Sequence, residues 1–217
     1  CLSFVEQLAT QNRFIYIRGN HEDLLCDCVK EISRRREPGS HHFSNGTIRT
    51  LATFLGISEY DILSFCFDWN KFDTETARVL DFIDTNSKDY YELGDYIFVH
   101  GWIPTAPDSE GYECIYDNWR EGNWREARWQ NGIDCHLADL IFDDKTIVCG
   151  HWHTSYGWHM IDNSIPEWGP GAKFDPFIKT GIIAIDACTA YTKQVNVIVF
   201  NETENGKVEL EDLSNGR

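Results

Sequence analysis

The stretch FIYIRGNHEDLL, Phe14–Leu25, decides the fold and raises the first functional question. Its apolar start predicts a short buried strand, Phe14–Ile17. The polar segment RGNHE follows at once, and a helical pattern then runs from about Glu22 to Glu31. A strand that only closes a core rarely ends in a guanidinium, a carboxamide, an imidazole and a carboxylate. The pattern therefore indicates chemistry at the tip of this strand.

Two later strands end in the same way. The segment YIFVHGW predicts a strand at Tyr96–His100, and KTIVCGHWHT predicts another that ends at His151 and His153. In open α/β sheets, ligands bind at the carboxyl ends of strands, where side chains from separate loops converge. The imidazoles and the carboxamide at these ends are candidate donors for a metal site: Asn20, His21, His100, His151 and His153.

Each of these motifs is weak evidence by itself, because a lone histidine at a strand end is most often structural or lies on the surface. The combination of G-N-H-E, strand-H-G and G-H-x-H, in that order and each after an apolar strand, is more specific. It favours a metal site over a purely structural role.

Composition restricts the class of protein. The chain has 217 residues, 42% hydrophobic and 25% charged, which is ordinary for a globular domain. Its net charge of −16 argues against nucleic-acid binding, because phosphate backbones attract basic surfaces. No apolar run approaches the roughly 20 residues of a membrane span. The eight cysteines form no C-x-x-C pair, which favours free thiols in a reducing cytoplasm.

The remaining pattern predicts a layered α/β domain with more than one sheet, and a single domain over residues 1–217. The segment Ser33–Gly46 is polar and rich in turn formers, so we expect a loop with His41 and His42 on its surface. Helices are predicted near Thr47–Leu55, Tyr60–Asp68, Thr74–Tyr91 and Tyr112–Trp129, and strands at TIVCGH, IIAIDAC, QVNVIVF and Lys207–Leu210.

With these motifs the sequence resembles the calcineurin-like metallophosphoesterases. It is most similar to the bacterial branch related to Ser/Thr protein phosphatases and to symmetrical diadenosine tetraphosphate hydrolases. The segments IRGNHED, YELGDYIFVHGWIP and IVCGHWHTSYG match later motifs of the family in order and spacing. FSNGTIRTL, WREARWQNG and IIAIDACTAY extend the likeness from Phe14 to about Phe200.

The resemblance implies a four-layer α/β/β/α sandwich of two mixed sheets flanked by helices. It also implies two divalent metal ions, most readily Mn²⁺, with Fe or Zn as alternatives. Asn20, His100 and His151 would hold one metal, and His153 would reach the other. Two such ions clamp a phosphoryl group and activate water at neutral pH.

One part of the family pattern does not occur in the sequence: the D-x-H and G-D-x-x-D-R-G motifs, which supply further metal ligands in the family. The first residues, CLSFVEQLAT, lack a Met and the features of a signal peptide. We therefore expect a segment of roughly 30 residues or more to precede Cys1, and we expect this chain alone to be catalytically weak.

The resemblance gives His21 the role of a general acid that protonates the leaving oxygen. Glu22 is adjacent, but a carboxylate is also favoured in the first turn of a helix, so a catalytic and a structural role both stay open. Guanidinium groups fit phosphate oxygens, and the candidates are Arg128, from the segment between the two histidine motifs, and Arg18, whose alternative role is a structural ion pair.

Other residues are expected to be structural. Trp119, Trp124 and Trp129 recur every five residues, a spacing closer to core packing than to base stacking. Cys149 and Asp186 lie on strands that read as buried, and we expect them to support the fold.

Three functions stay open at this point. The first is a metal-dependent phosphoric-ester hydrolase of the protein-phosphatase type, acting in the cytoplasm on a phosphorylated protein or a small phosphoester. The second is a symmetrical dinucleoside tetraphosphate hydrolase with the same metals. The third is a non-catalytic binding module, which an upstream segment containing the two absent motifs would exclude. The sequence decides neither between the first two nor on the oligomeric state.

Overall fold

The first of two compact units, Cys1–Lys88, is mainly helical. The computed structural model describes residues 2–10, 14–203 and 207–211. The described elements of this unit are α1 (Leu2–Ala9), β1 (Tyr16–Ile17), α2 (Asn20–Ser33), α3 (Ser40–Ser44), α4 (Thr47–Leu55), α5 (Glu59–Leu63), α6 (Trp69–Asn86) and β2 (Ser87–Lys88).

Helices α2, α4 and α6 build the core of the first unit, because each carries a buried stripe at helical spacing. The stripe runs from Leu25 to Ile32 in α2 and from Phe72 to Ile83 in α6. In α4 it consists of residues at i, i+3, i+4 and i+7: Ile48, Leu51, Ala52 and Leu55. Each large aliphatic side chain buried there stabilises the fold by about 1.5–3 kcal/mol.

The strand-to-helix junction predicted from the opening segment is confirmed, but the strand is shorter than the predicted Phe14–Ile17 and is only half-buried, with Ile15 exposed. β1 pairs in parallel with β2, and the Arg18 amide extends the pairing by donating to the Lys88 carbonyl at 2.8 Å. Gly19 is the extended N-cap of α2, and its amide donates to the Glu22 carboxylate at 2.7 Å. This half of a capping box satisfies an amide that the helix leaves unpaired, so the helix begins at Asn20.

The second unit, Asp89–Arg217, contains most of the strands. Its described elements are β3 (Tyr91–Leu93), β4 (Tyr96–Phe98), β5 (Thr105–Pro107), β6 (Glu113–Ile115), a 3-10 helix (Trp119–Glu121), α7 (Trp124–Ala127), α8 (Gly132–Leu137), β7 (Thr146–His153), α9 (Thr154–Ile161), β8 (Phe177–Lys179), β9 (Ile182–Asp186), α10 (Thr189–Thr192), β10 (Phe200–Glu202) and β11 (Val208–Leu210).

A five-stranded mixed sheet organises this unit, in the order β3-β4-β7-β9-β8. The central strands β4, β7 and β9 are parallel, and both edge strands are antiparallel. Ile97, Ile147 and Ile182 lie in register across the three parallel strands and are fully buried. Such β-branched rows are typical of parallel strands covered on both faces. The predicted strands Tyr96–His100 and TIVCGH are thus confirmed.

The helix predicted at Tyr112–Trp129 is wrong in its first half. β5 and β6 form an antiparallel hairpin there, followed by the 3-10 helix and by α7. The Asp108 carboxylate accepts the amides of Glu110 and Tyr112, and Gly111 takes a φ of 89°. This turn chemistry fixes a hairpin in spite of the aromatic pattern.

Three other element predictions are corrected. The helix predicted at Tyr60–Asp68 is shorter in the structure, where α5 ends at Leu63. The Asp68 carboxylate instead caps α6 by accepting the amides of Asn70 and Lys71. The helix predicted at Thr74–Tyr91 therefore begins earlier, at Trp69, and ends at Asn86. The strand predicted at QVNVIVF begins only at its last residue, Phe200. Val195 and Val197 are exposed, although their alternation with polar residues predicts a half-buried strand.

The expectation that His42 lies on the surface is also wrong. Within the predicted loop Ser33–Gly46, residues Ser40–Ser44 form α3, and the His42 side chain is fully buried. His41 is exposed, as expected. The segment contains no apolar periodicity that would indicate which of the two adjacent histidines points inward.

Several structural roles are confirmed. Trp119 and Trp124 are buried in the core of the second unit, whereas Trp129 is 43% exposed. Cys149 is buried, and burial strongly raises the pKa of its thiol. The cysteines among the described residues are all free thiols. In the same part of the chain, no helix has both the length and the apolar character that crossing a membrane requires.

The architecture is mixed α/β with several small sheets. Besides the five-stranded sheet, the described residues form three two-stranded sheets: β1-β2, β5-β6 and β10-β11. The four-layer sandwich and the single catalytic domain therefore stay predictions.

Candidate functional site

His100 lies two residues past the end of β4, beside His151, which lies near the end of the neighbouring parallel strand β7. Backbone hydrogen bonds continue past the paired residues Phe98 and Val148: the Val99 amide donates to the Val148 carbonyl at 3.0 Å, and the Gly150 amide donates to the His100 carbonyl at 2.8 Å. The two imidazole rings have centroids 5.0 Å apart and an interplanar angle of 49°. The sheet itself thus sets the spacing of this pair.

The backbone of His151 is in the left-handed region, with a φ of 66°. This conformation costs a residue with a Cβ roughly 1–2 kcal/mol. It interrupts the regular register of β7 against β9, where the pairing shifts between Cys149 and His153. Strain of this kind is often kept where a side chain must point in a direction that a regular strand does not provide. The Trp129 ring lies edge-on to His151, with centroids 6.0 Å apart.

The loop after His100 is held by a close backbone approach at Gly101. A Cβ on Gly101 would lie 2.7 Å from the carbonyl oxygens of Ala127 and Gln130 and 2.8 Å from that of Arg128. Because backbone atoms form this contact, only glycine fits without a displacement. The amide of Trp102, which is fully buried, donates to the Ala127 carbonyl at 3.0 Å. The position of His100 therefore depends on this loop.

His153 occupies a different environment from the pair. Its ring is the N-cap of α9: Nδ1 accepts the Tyr156 amide at 3.3 Å and lies 2.9 Å from Ser155 Oγ. Its Nε2 lies 3.3 Å from a Glu167 carboxylate oxygen. Burial lowers the pKa of His153, and the charges of Glu167 and Asp186 oppose this shift. Its predicted role as a ligand of the second metal would require these contacts to change, and that role stays a prediction.

Asn20 and His21 begin α2 in the first unit. Asn20 is buried, with 1% of its surface exposed. His21 is exposed and lines a cavity of about 110 Å³, whose walls include the apolar side chains of Leu25, Phe54, Val79 and Ile83. A group leaving from a substrate could reach this imidazole. The predicted convergence of Asn20 with His100 and His151 stays a prediction.

Glu22 has the structural role that the helix dipole favours. Its carboxylate accepts the Gly19 amide at 2.7 Å. Burial and the nearby Glu22 charge raise the pKa of the Tyr16 hydroxyl well above its ordinary value. The hydrogen bond from Gly19 holds the carboxylate at the helix start.

The two arginines proposed for phosphate binding are both paired with carboxylates. Arg18 donates to Asp23 and to Asp84, each at 2.9 Å. Arg128 is 7% exposed and forms an ion pair with Asp89. For Arg18, these contacts match its alternative role, a structural ion pair. A phosphate would have to compete with the carboxylates for either guanidinium.

The sequence analysis missed a cluster of Glu31, His41 and His42. Among the described residues, this is the only group of at least three His, Cys, Asp or Glu side chains whose ligand atoms lie within 4.8 Å of one another. The adjacent histidines were the available signal, but their partner Glu31 lies on another helix. No family model, curated protein or solved structure matches this chain.

Proposed function

We propose that the chain belongs to a metal-dependent phosphoric-ester hydrolase of the calcineurin-like type, acting on phosphomonoesters as Ser/Thr protein phosphatases do. The observation that carries the proposal is the His100–His151 pair, with ring centroids 5.0 Å apart at the carboxyl ends of adjacent parallel strands. Ligand sites of α/β sheets form at such ends. The ordered motifs and the family resemblance supply the reaction class.

The donor set fits Zn and Fe best among the metals that the resemblance implies, because imidazole nitrogens suit these ions. Two rings held by a sheet also lose little freedom when they bind an ion. The strained backbone of His151 supports the same interpretation, since residues in such conformations cluster at ligand sites. A divalent metal bound at the pair would polarise a phosphoryl oxygen and activate water for attack.

The proposed task of His21 is proton donation. An alkoxide is a poor leaving group, so an acid that protonates the leaving oxygen lowers the barrier. The exposed ring beside a cavity leaves room for the leaving group. The start of α2 fixes the backbone of His21, because the Glu22 carboxylate accepts the Gly19 amide and so caps the helix.

For the arginines, the ion pairs support a positioning role rather than direct phosphate contact. Arg18 ties the strand end to α2 through Asp23 and to α6 through Asp84. The free thiols of the described residues are consistent with the proposed cytoplasmic location. The four-layer sandwich is part of the same proposal.

A substrate panel tests the function. In Mn²⁺, phosphate release is measured for a phosphoserine peptide and phenyl phosphate, and release of nucleoside diphosphate is measured for a dinucleoside tetraphosphate. The proteins compared are wild type, His100→Ala and the control His159→Ala. Because this chain alone is expected to be catalytically weak, we expect slow but measurable hydrolysis of the two monoesters, its loss in His100→Ala, and no change in His159→Ala. Cleavage of the dinucleotide alone would assign the second hydrolase class. Phosphate release that is the same in His100→Ala as in wild type would overturn the proposal.

A further inference from the structure

We propose that Glu31, His41 and His42 form a binding site for a transition-metal ion of the zinc class in the first unit, independent of the histidine pair in the second. The three side chains come from two helices: Glu31 lies in the last turn of α2, and the histidines lie in α3. Their ligand atoms all lie within 4.8 Å of one another.

The spacing of two donor atoms already matches a tetrahedral site. His42 Nε2 and Glu31 Oε2 are 3.5 Å apart, which is beyond an ordinary hydrogen bond. Zinc binds nitrogen and oxygen at about 2.0–2.1 Å, so two ligands of a tetrahedron are about 3.3 Å apart. An ion between these two atoms therefore needs almost no movement of either side chain.

His42 provides an independent indication that a ligand belongs here. Its side chain is fully buried, and neither of its ring nitrogens has a hydrogen-bond partner among the described residues. A buried polar group without a partner costs about 1–3 kcal/mol. Coordination of an ion through Nε2 would satisfy the nitrogen that faces Glu31.

The other two ligands are held near His42 by local contacts. The Gly39 amide donates to Glu31 Oε2 at 2.9 Å, which orients the carboxylate. The His41 ring lies over Gly39, where a Cβ would come within 2.7 Å of Cε1, and its centroid is 4.0 Å from that of His42. Since His41 is exposed, its ring can rotate onto an ion.

The chemistry of the donors selects the class of ion. Two imidazoles and one carboxylate with an open position are a ligand set of zinc enzymes, whereas Mg²⁺ and Ca²⁺ prefer oxygen ligands throughout. The carboxylate of Asp27, one helical turn before Glu31, also acts electrostatically on His42 and adds negative charge that favours a cation.

The test uses the full chain with His100→Ala and His151→Ala as background, so that a failure of the proposed function cannot affect the result. Zn²⁺ affinity is measured by competition with a chromophoric chelator, with Mg²⁺ as the contrasting ion. Loss of a residue that only hydrogen-bonds to a metal ligand already costs roughly 10–100-fold in affinity, so loss of a ligand itself in His41→Ala or Glu31→Gln should cost at least about that much. Gly39→Ala should weaken binding by displacing the His41 ring. Glu37→Gln, an exposed acid of the same segment, is the control.

His41 is exposed, so His41→Ala should fold normally, and circular dichroism confirms this for each variant. We expect Zn²⁺ to bind the background chain, Mg²⁺ not to compete, and the control to bind as the background does. Absence of Zn²⁺ binding in the folded background chain would overturn the proposal. Binding that survives both His41→Ala and Glu31→Gln unchanged would overturn it as well.

Discussion

The imidazole rings of His100 and His151 have centroids 5.0 Å apart because their strands, β4 and β7, are parallel neighbours. The hydrogen bond from the Gly150 amide to the His100 carbonyl continues the pairing up to the rings. The geometry of the pair is therefore set by the sheet together with the closely packed loop at Gly101. Changes to the local backbone should affect stability and metal affinity together.

The left-handed backbone of His151 gives a stability prediction. His151→Gly should be more stable than His151→Ala by about 1 kcal/mol, because glycine adopts a φ of 66° without the penalty that a Cβ incurs. Urea unfolding of the two variants measures the difference. Both variants lack the imidazole, so its contacts cancel in the comparison. An alanine variant as stable as the glycine variant would mean that the strain is absent in solution.

The close approach at Gly101 gives a second prediction with a matched control. Gly101→Ala should lower the free energy of unfolding by about 1–3 kcal/mol, because its Cβ would meet three backbone carbonyls that cannot all move away. At Gly150 a Cβ would meet only the His100 carbonyl, at 3.8 Å, so Gly150→Ala should change stability by no more than about 0.5 kcal/mol. Equal effects in the two variants would contradict this packing.

The half-buried side chain of His136 leads to a prediction of how the free energy of unfolding depends on pH. Burial lowers the pKa of His136, the charge of Lys179 lowers it further, and Asp139 opposes the shift. Because its pKa is lower in the folded than in the unfolded state, the unfolded state binds the proton more readily as the pH falls. The free energy of unfolding should therefore decrease from about pH 7.5 to about pH 5.5.

In His136→Gln this decrease should be smaller, since one of the contributing histidines is gone. His42 and His153, whose pKa values are also lowered, keep part of the pH dependence. Urea unfolding at the two pH values measures both slopes. An identical pH dependence in wild type and variant would contradict the role given to His136.

The proposed division between metal ligand and acid predicts different defects in two variants. His21→Ala should reduce turnover of alkyl phosphates by about 10²–10⁴-fold and leave metal content unchanged. The defect should shrink for aryl phosphates, whose leaving groups need no proton. His151→Ala should slow every substrate alike, and excess Mn²⁺ should partly restore it by mass action. Metal loss in both variants, with no dependence on the leaving group, would contradict the division.

The strand ends could be predicted from sequence because each combines an apolar β-branched run with a Gly beside a polar residue. That pattern is local, and it correctly indicated the start of α2 and the strands that carry His100 and His151. The hairpin of β5 and β6 was missed because its second strand, β6, lies in the segment Tyr112–Trp129, whose aromatic pattern predicted a helix. Local turn chemistry outweighs periodicity there.

The environments of His42 and His153 could not be predicted for a different reason. His42 is buried beside Glu31 of another helix, and no local pattern encodes that contact. His153 reads as the end of a strand, but its ring also caps α9, a helix that the sequence analysis did not predict. Both outcomes depend on how successive elements pack, which a single sequence shows only indirectly.

The most direct test of the central claim is Mn²⁺ binding to the chain, measured from the electron paramagnetic resonance signal of the free ion. All samples carry His41→Ala, so that the Glu31–His41–His42 cluster does not contribute. In this background we predict that Mn²⁺ binds, that His100→Ala and His151→Ala each weaken binding by at least about tenfold, and that the control His136→Gln does not. Equal Mn²⁺ affinity with and without the two histidines would contradict the claim that His100 and His151 form a metal site.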